Sequence, residues 1–435
     1  MGVKGLLVFI LLFAANSLWA APKIQNWTTD NGVRVYFVES PEIPIVDIRV
    51  VFDAGAAREG DKGGLALLTN GMMSEGAGDW DANMIAERFE GVGAMFGNNS
   101  MRDMSIFSLR SLVNLKLLDV AVETFAKVLN DPSFPKEPFE RERNRLLVAL
   151  EQKKQSPDDV ADKAFYQEIY GDHPYAHDPF GNAQSIESLT TTDLRKFYES
   201  YLVASNATVA IVGNVERAQA ESLVKQILGD LPKGQPAEPL ASVSELTKAK
   251  DVTVDFPSTQ THLLMGQPGL SRNDPDYFAL YLGNHVLGGS GLVSILSEEI
   301  REKRGLSYSS YSYFSPMRVQ GPFVMGLQTR NDQAQQALQV MKQVLQDFVK
   351  NGPTEQQLTA AKQNLTGGFA LRIESNKKIV NYLSMIGFYD LPLDYLDRFI
   401  DNINQVTKEQ IKQSFQRRIN SEAMVTVILG GPDEK

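Results

Sequence analysis

The chain has 435 residues, 43% of them hydrophobic, ample to bury more than one domain-sized core. It contains no cysteine, which excludes disulfides, thiolate metal sites, thiol catalysis and a lipid-modified N-terminal Cys together. A formal net charge of -10 argues against nucleic acid as a partner.

In chain order, residues 1–20 carry a lone Lys4, an apolar run from Leu6 to Ala15 and the small-residue ending Ser17, Leu18, Trp19, Ala20. That pattern predicts a secretory signal peptide cut after Ala20, too short to persist as a membrane helix. No later window approaches the roughly 18 consecutive apolar residues a span needs. The expected product is exported and soluble, with a Gram-negative periplasm the simplest compartment and no membrane anchor.

Residues 33–38, after the turn pair Asn31-Gly32, and residues 45–52 alternate or run apolar like strands. Helical periodicity follows at 64–73, 84–91, 115–129 and 137–155. The segment GDHPYAHDPF places His173 and His177 four apart, a spacing that mimics a metal pair. Pro174 breaks the helix that would put both on one face, so a loop-packing role is expected. His262 and His285 are the only other histidines, and His285 is read chiefly as a core residue.

An internal duplication organises the rest. SIESLTTTDLRKFYESYLVASNATVAIVG from Ser185 matches NINQVTKEQIKQSFQRRINSEAMVTVILG from Asn402. Ile186 with Ile403, Thr190 with Thr407, Leu194 with Ile411, Tyr198 with Phe415 and Gly213 with Gly430 share one offset of 217 residues. Each copy reads as a Thr N-cap, an amphipathic helix and an apolar strand closed by Gly. The expected organisation is domain one over 21–230, a Pro-rich semi-rigid surface linker over 231–250, and domain two over 251–435. Strands, then helices, then a returning strand, twice over, make the fold class α+β: two homologous domains, each a mostly antiparallel sheet packed with helices.

In the second copy, LSEEIREKRGLSYSSYSYF from Leu296 runs a charged helical end through a Gly turn into an aromatic strand. Arg301 closes the helix and Tyr308 opens the strand. A guanidinium fork and a phenolic donor on two elements that meet at a turn suit a peptide carbonyl or a developing oxyanion. The preceding LGGSG, 287–291, lacks a P-loop Lys and a leading strand, so a nucleotide site is not expected. No Gly-flanked nucleophile supports a serine hydrolase. Tyr311 and Tyr313 alternate onto one face, most simply for packing.

Together with Asn284, His285 and LGGSG, this segment resembles the second domain of the pitrilysin/insulinase family of zinc peptidases, which include the mitochondrial processing peptidase. The resemblance implies two such domains forming half of a clam shell, the other half coming from a second subunit. It implies a substrate-contacting role for Arg301 and Tyr308 and a flexible substrate loop at Gly288, Gly289 and Gly291. Relatives usually have an Arg after that loop, where this chain has Leu292 and Val293. The family's HxxEH motif, two His ligands with a Glu base between them, aligns with Leu67, Asn70 and Gly71. None of the three can do that work, because Leu and Gly offer no side-chain lone pair and an amide takes no proton from water. The helix due to carry a third ligand has Val148 and Ala149 near that position, with Glu142 and Glu151 out of register.

The resemblance therefore implies a non-zinc subunit of a periplasmic heterodimeric metallopeptidase. Such a chain holds no metal or cofactor itself, and a homologous HxxEH partner carries Zn2+ and hydrolyses unfolded peptides. The alternatives are a peptide-binding, chaperone-like module, a structural subunit like the core proteins of respiratory complexes, and an unconventional zinc enzyme.

Overall fold

The computed structural model describes residues 23–431, so the expected signal peptide lies outside the described residues. In domain one the strands are β1 (Gln25–Thr28), β2 (Arg34–Glu39), β3 (Ile45–Phe52), the short pair β4 (Gly76–Ala77) and β5 (Trp80–Asp81), β6 (Met95–Ser100), β7 (Ser105–Leu112) and β8 (Ala207–Gly213). Domain two contributes β9 (Lys250–Asp255), β10 (Gln260–Pro268), β11 (Ser310–Phe314), β12 (Pro322–Arg330) and β13 (Val425–Gly430). The first sheet has the order β1-β2-β8-β3-β7-β6 and the second β11-β12-β10-β13-β9. Read from the parallel pair outward, β2-β8-β3-β7-β6 and β9-β13-β10-β12-β11 are the same topology. Every other pairing in both sheets is antiparallel.

Local chemistry explains the repeated unit. Thr190 accepts from the Asp193 amide at 3.3 Å and Thr407 from the Gln410 amide at 3.2 Å, each closing a capping box that starts a helix. The apolar runs that follow become β8, buried throughout, and β13, buried at four of its six residues. Both pair on two sides within their sheets, which is why they read as continuous apolar stretches rather than as alternation. The helices Leu65–Met72, Leu115–Asn130 and Arg217–Leu228 close the principal core of domain one over one face of its sheet.

The opposite faces are covered by exchange. Helix Pro157–Tyr170 leaves domain one and lies on the second sheet, where Ala161, Phe165 and Ile169 meet Leu264, Val324, Val425 and Val427. Helix Asn376–Phe388 returns the arrangement, setting Ile379, Val380 and Leu383 against Val38, Ala210 and Val212. Glycine permits both approaches: a Cβ on Gly266 would sit 2.8 Å from the Phe165 ring, and one on Gly387 would sit 2.4 Å from the Tyr36 ring.

Between the sheets, residues 231–248 have no regular helix or strand but are tied down. The Ala204 and Ser205 amides donate to Pro232 O and Lys233 O, each at 2.9 Å, and Val243 is buried. Asp103, also buried, accepts from the Tyr175 hydroxyl at 2.5 Å, the Tyr389 hydroxyl at 3.0 Å and the Arg318 amide at 2.8 Å. Burial pushes its carboxyl above the usual carboxylate range, against the pull of those donors. One carboxylate thus joins domain one to two segments of domain two.

Candidate functional site

In domain one, the helix Leu65–Met72 begins at Gly64, whose φ of 90° puts it in the left-handed region. The Glu59 carboxyl oxygens accept from two of the helix's opening amides, Gly64 N at 3.1 Å and Ala66 N at 2.6 Å. On this helix Leu67 packs against Leu146, Leu150 and Ile186, and is only partly buried. Asn70 is buried, and its Nδ2 donates to Ser105 Oγ at 2.7 Å, Asn99 O at 3.2 Å and Ile106 O at 3.3 Å. Gly71 is exposed, with nothing within 4 Å of where a Cβ would stand.

These residues do not fit a zinc ion. On the facing helix Lys136–Lys153, Val148 points to solvent at 58% exposure, while Glu142 is held by Arg141 at 3.2 Å and Arg145 at 2.9 Å. Arg141 also pairs with Glu75, and Glu151 pairs with Lys154 at 2.6 Å. Among the described residues no group of three or more His, Cys, Asp or Glu side chains could hold a metal.

The histidine pair is separated by role. His173 is buried, accepting the Tyr175 amide at Nδ1 at 3.1 Å and facing Ala241 O from Nε2 at 3.0 Å, so the hydrogen bonds assign the proton to Nε2. Burial holds its pKa below the ordinary imidazole value. His177 is exposed. His285 is partly buried and lowered for the same reason, with Arg372 adding to the effect. His262 lies on β10 with Nδ1 2.8 Å from Asp158 Oδ1.

The duplication gives Asn70 an unexpected counterpart. In domain two the helix Tyr277–Asn284 occupies the equivalent place, and Asn284 Nδ2 donates to Ser312 O at 3.0 Å while its Oδ1 accepts the Ser312 hydroxyl at 2.7 Å. Both amides tie their helix to the outer hairpin of their sheet, Asn70 at β6 and β7 and Asn284 at β11. Where the peptidase motif would place a base, this chain has a structural tether. Sequence analysis missed it because the two asparagines stand 214 rather than 217 residues apart.

In domain two, Arg301 lies in the π-helical turn Ser297–Glu302, a wider winding often found near functional sites. Its Nε reaches Glu302 only at 3.6 Å, beyond hydrogen-bonding distance. Gly305, at φ 61°, turns the chain back. Tyr308 does not open the strand as expected: it sits in a bend two residues before β11, because Ser307 Oγ bonds Ser309 O at 2.7 Å and holds the segment out of the ladder. Consequently Tyr308 is 89% exposed and makes no intramolecular hydrogen bond among the described residues.

The glycines also differ from expectation. Residues 285–289 wind as a π-helix that continues the preceding helix, so Gly288 and Gly289 are not a flexible loop. A Cβ on Gly288 would stand 2.5 Å from the Ser312 amide, so this glycine lets the segment lie on β11, and one on Gly289 would stand 2.8 Å from Asn284 Nδ2, so that glycine makes room for the tethering amide. Only Gly291 has left-handed backbone, φ 63°, and it turns out the exposed pair Leu292 and Val293. Tyr311 and Tyr313 stack with ring centroids 6.0 Å apart.

A duplicated sheet-and-helix unit with reciprocal helices, a metal position filled by Leu, Asn and Gly, and in its second half an exposed Tyr308 and an Arg301 held only by a 3.6 Å ion contact define a peptidase-fold chain without a zinc site. The Insulinase (Peptidase family M16) model matches residues 34–181, and the model described as the Peptidase M16 inactive domain matches residues 188–365. A crystal structure described as a peptidase M16 inactive domain from Pseudomonas fluorescens is 40% identical at TM-score 0.91, covering 94% of this chain and 98% of its own. The chain belongs to peptidase family M16, the insulinase/pitrilysin family. It is also similar to a non-peptidase homolog, YmxG, of Helicobacter pylori, 26% identical over 415 residues and 94% of each chain. An uncharacterized zinc protease, also YmxG, of Bacillus subtilis is 24% identical over 395 residues, 89% of this chain and 94% of that protein.

Proposed function

We propose that this chain is the non-zinc subunit of a periplasmic heterodimeric metallopeptidase. The observation that carries the reading is the contrast between its two halves: the metal positions hold Leu67, Asn70 and Gly71, which supply neither ligand nor base, while Tyr308 is exposed with no hydrogen bond among the described residues and Arg301 meets Glu302 only at 3.6 Å. Zinc bound by an HxxEH partner would supply the activated water. This chain's Arg301 would hold a backbone carbonyl of an extended peptide, and the Tyr308 hydroxyl would donate to the oxyanion as it forms. An open sheet edge, β6 or β11, would pair with the peptide backbone and give affinity with little sequence preference. The leader-like residues 1–20 support the periplasmic assignment.

The test is co-expression with a homologous exported chain that carries HxxEH, followed by metal analysis and hydrolysis of a fluorogenic peptide. One zinc per pair is expected, none in this chain alone. Tyr308→Phe lowers turnover of the pair by about 10², the scale of losing one oxyanion donor. Unchanged turnover would remove Tyr308 from the reaction.

A second reading is peptide binding without cleavage, and the description of the Helicobacter pylori relative as a non-peptidase homolog supports the absence of cleavage. Under it, the isolated chain binds unfolded peptides and Arg301 and Tyr308 tolerate alanine without effect on any peptidase.

A further inference from the structure

The duplication exposes a missing counter-ion. At the 214-residue offset that relates Asn70 to Asn284, Asp53 corresponds to Gln267 and Arg58 to Arg272. In domain one the pair is closed, with Arg58 Nε donating to Asp53 Oδ1 at 2.8 Å. In domain two the acid is gone, and the amide in its place is engaged elsewhere: Gln267 Nε2 donates to Arg418 O at 2.9 Å and its Oε1 accepts the Asn420 amide at 2.8 Å. The acids just after Arg272 are also taken, Asp274 by Arg418 at 2.9 Å, and Asp276 by Arg417 at 2.5 Å and Arg418 at 3.0 Å.

Arg272 is thereby left in no ion pair among the described residues. Its backbone is fixed, the amide donating to Met317 O at 2.8 Å. Its Nε is shut off from solvent without a hydrogen-bond partner, one terminal nitrogen meets the Met385 sulfur, a weak acceptor, and the guanidinium lies 5.1 Å from the centre of the Tyr277 ring. Two cavities border it. The larger, of about 530 Å³, also contains Asp274, Asp390 and Asp394, so it already holds negative charge. The smaller, of about 290 Å³, lies between the Tyr277–Asn284 helix and β11, and Arg272 is the one charged residue of its lining among the described residues. Tyr277 and Tyr281 stack on the helix side with centroids 5.8 Å apart, and Phe314 adds apolar surface.

We infer that the smaller cavity binds the carboxyl-terminal residue of a peptide when that residue is aromatic. The carboxylate takes, at Arg272, the place that Asp53 has at Arg58, and the ring lies against Tyr277 and Tyr281. An ion pair that is also hydrogen-bonded is the strong kind, and contact between rings adds selectivity beyond area. A cavity of this size is at the small end of ligand sites and takes one residue rather than a longer segment. The inference rests on the peptide-binding element of the proposed function and adds the end by which a peptide is held, at residues separate from Arg301 and Tyr308.

The experiment uses the full mature chain alone and three seven-residue Gly/Ser peptides with fluorescein on the amino end: one closing in Phe with a free carboxyl, one in Phe amide and one in Ala with a free carboxyl. Fluorescence anisotropy is expected to show the Phe acid binding at least about tenfold tighter than either of the others, the scale of one charge-assisted bond or one buried ring. Free phenylalanine should compete at least about tenfold more weakly than the unlabelled Phe peptide, because its ammonium finds no carboxylate in this cavity. Arg272→Gln should make the Phe acid and its amide bind alike. Gln267→Asp gives Arg272 the partner that Arg58 has, should likewise remove the preference for the acid, and serves if Arg272→Gln does not fold. Equal binding of acid and amide, no binding of any peptide, a preference for the acid that survives either substitution, or free phenylalanine competing as well as the peptide would each overturn the inference. A chain that fails this test yet activates a zinc-bearing partner leaves the proposed function standing.

Discussion

Adjacent residues of the vacated metal motif are expected to respond in opposite directions to substitution toward the peptidase sequence. Asn70→Glu replaces a buried donor that satisfies Ser105 Oγ, Asn99 O and Ile106 O. The hydroxyl can rotate to donate, but the two carbonyls would then face a carboxylate. Both carbonyls lie on the paired strands β6 and β7, so the cost is that of losing the Asn70 donations and setting a partly desolvated carboxylate against them, roughly 3–5 kcal/mol. Gly71→His points into open space and removes a helix glycine, so it should be neutral or stabilise by about 0.5 kcal/mol. Urea unfolding followed by tryptophan emission reads this directly, because Trp27 and Trp80, the tryptophans of the described residues, both lie in domain one. An Asn70→Glu variant within 0.5 kcal/mol of wild type, as an order-of-magnitude threshold, would refute the structural role assigned to that amide.

Three further outcomes follow from the same packing. Asn284→Ala should cost domain two about 1–3 kcal/mol through loss of its two bonds to Ser312, measured as a lower thermal midpoint. Asp103→Asn cannot accept from the Tyr175 hydroxyl, the Tyr389 hydroxyl and the Arg318 amide at once, and should cost about 2–4 kcal/mol while speeding proteolysis within 231–250. Glu59, pushed up by burial from its ordinary 4.5 to about 8, keeps its proton in the folded protein at pH values where the unfolded chain has lost it. Its contribution therefore favours folding below about 4.5 and declines as pH rises toward about 8, a dependence that Glu59→Gln should flatten in pH-resolved unfolding curves.

Much of the architecture was legible because it is written in local chemistry. The Thr190 and Thr407 caps, the apolar strands that follow them and the hairpin at Asn31-Gly32 come from short-range rules, and their repetition exposed two copies of one fold. The departure from the HxxEH pattern was equally readable, since Leu67 and Gly71 offer no side-chain lone pair and the Asn70 amide cannot act as a base whatever surrounds them. What stayed hidden depends on contacts across the chain. Nothing in Pro157–Tyr170 or Asn376–Phe388 announces that each will cover the other domain's sheet, because an apolar stripe does not name its partner. Periodicity places Tyr308 at the start of the strand because it does not sense the Ser307 turn that releases it. The LGGSG glycines read as a flexible loop, whereas Gly288 serves close approach to β11 and Gly289 close approach to Asn284, a distinction that needs the neighbour's position.

The exchange of helices also bears on how this protein can be cut and made. Each sheet has one face that only the other half can shield, so the two halves are interlocked like clasped hands. A nick in the 231–250 segment should leave the fragments associated, and either half expressed alone would present a bare apolar sheet to water and aggregate. Two copies bound in this way could diverge at their metal and substrate positions while neither became dispensable.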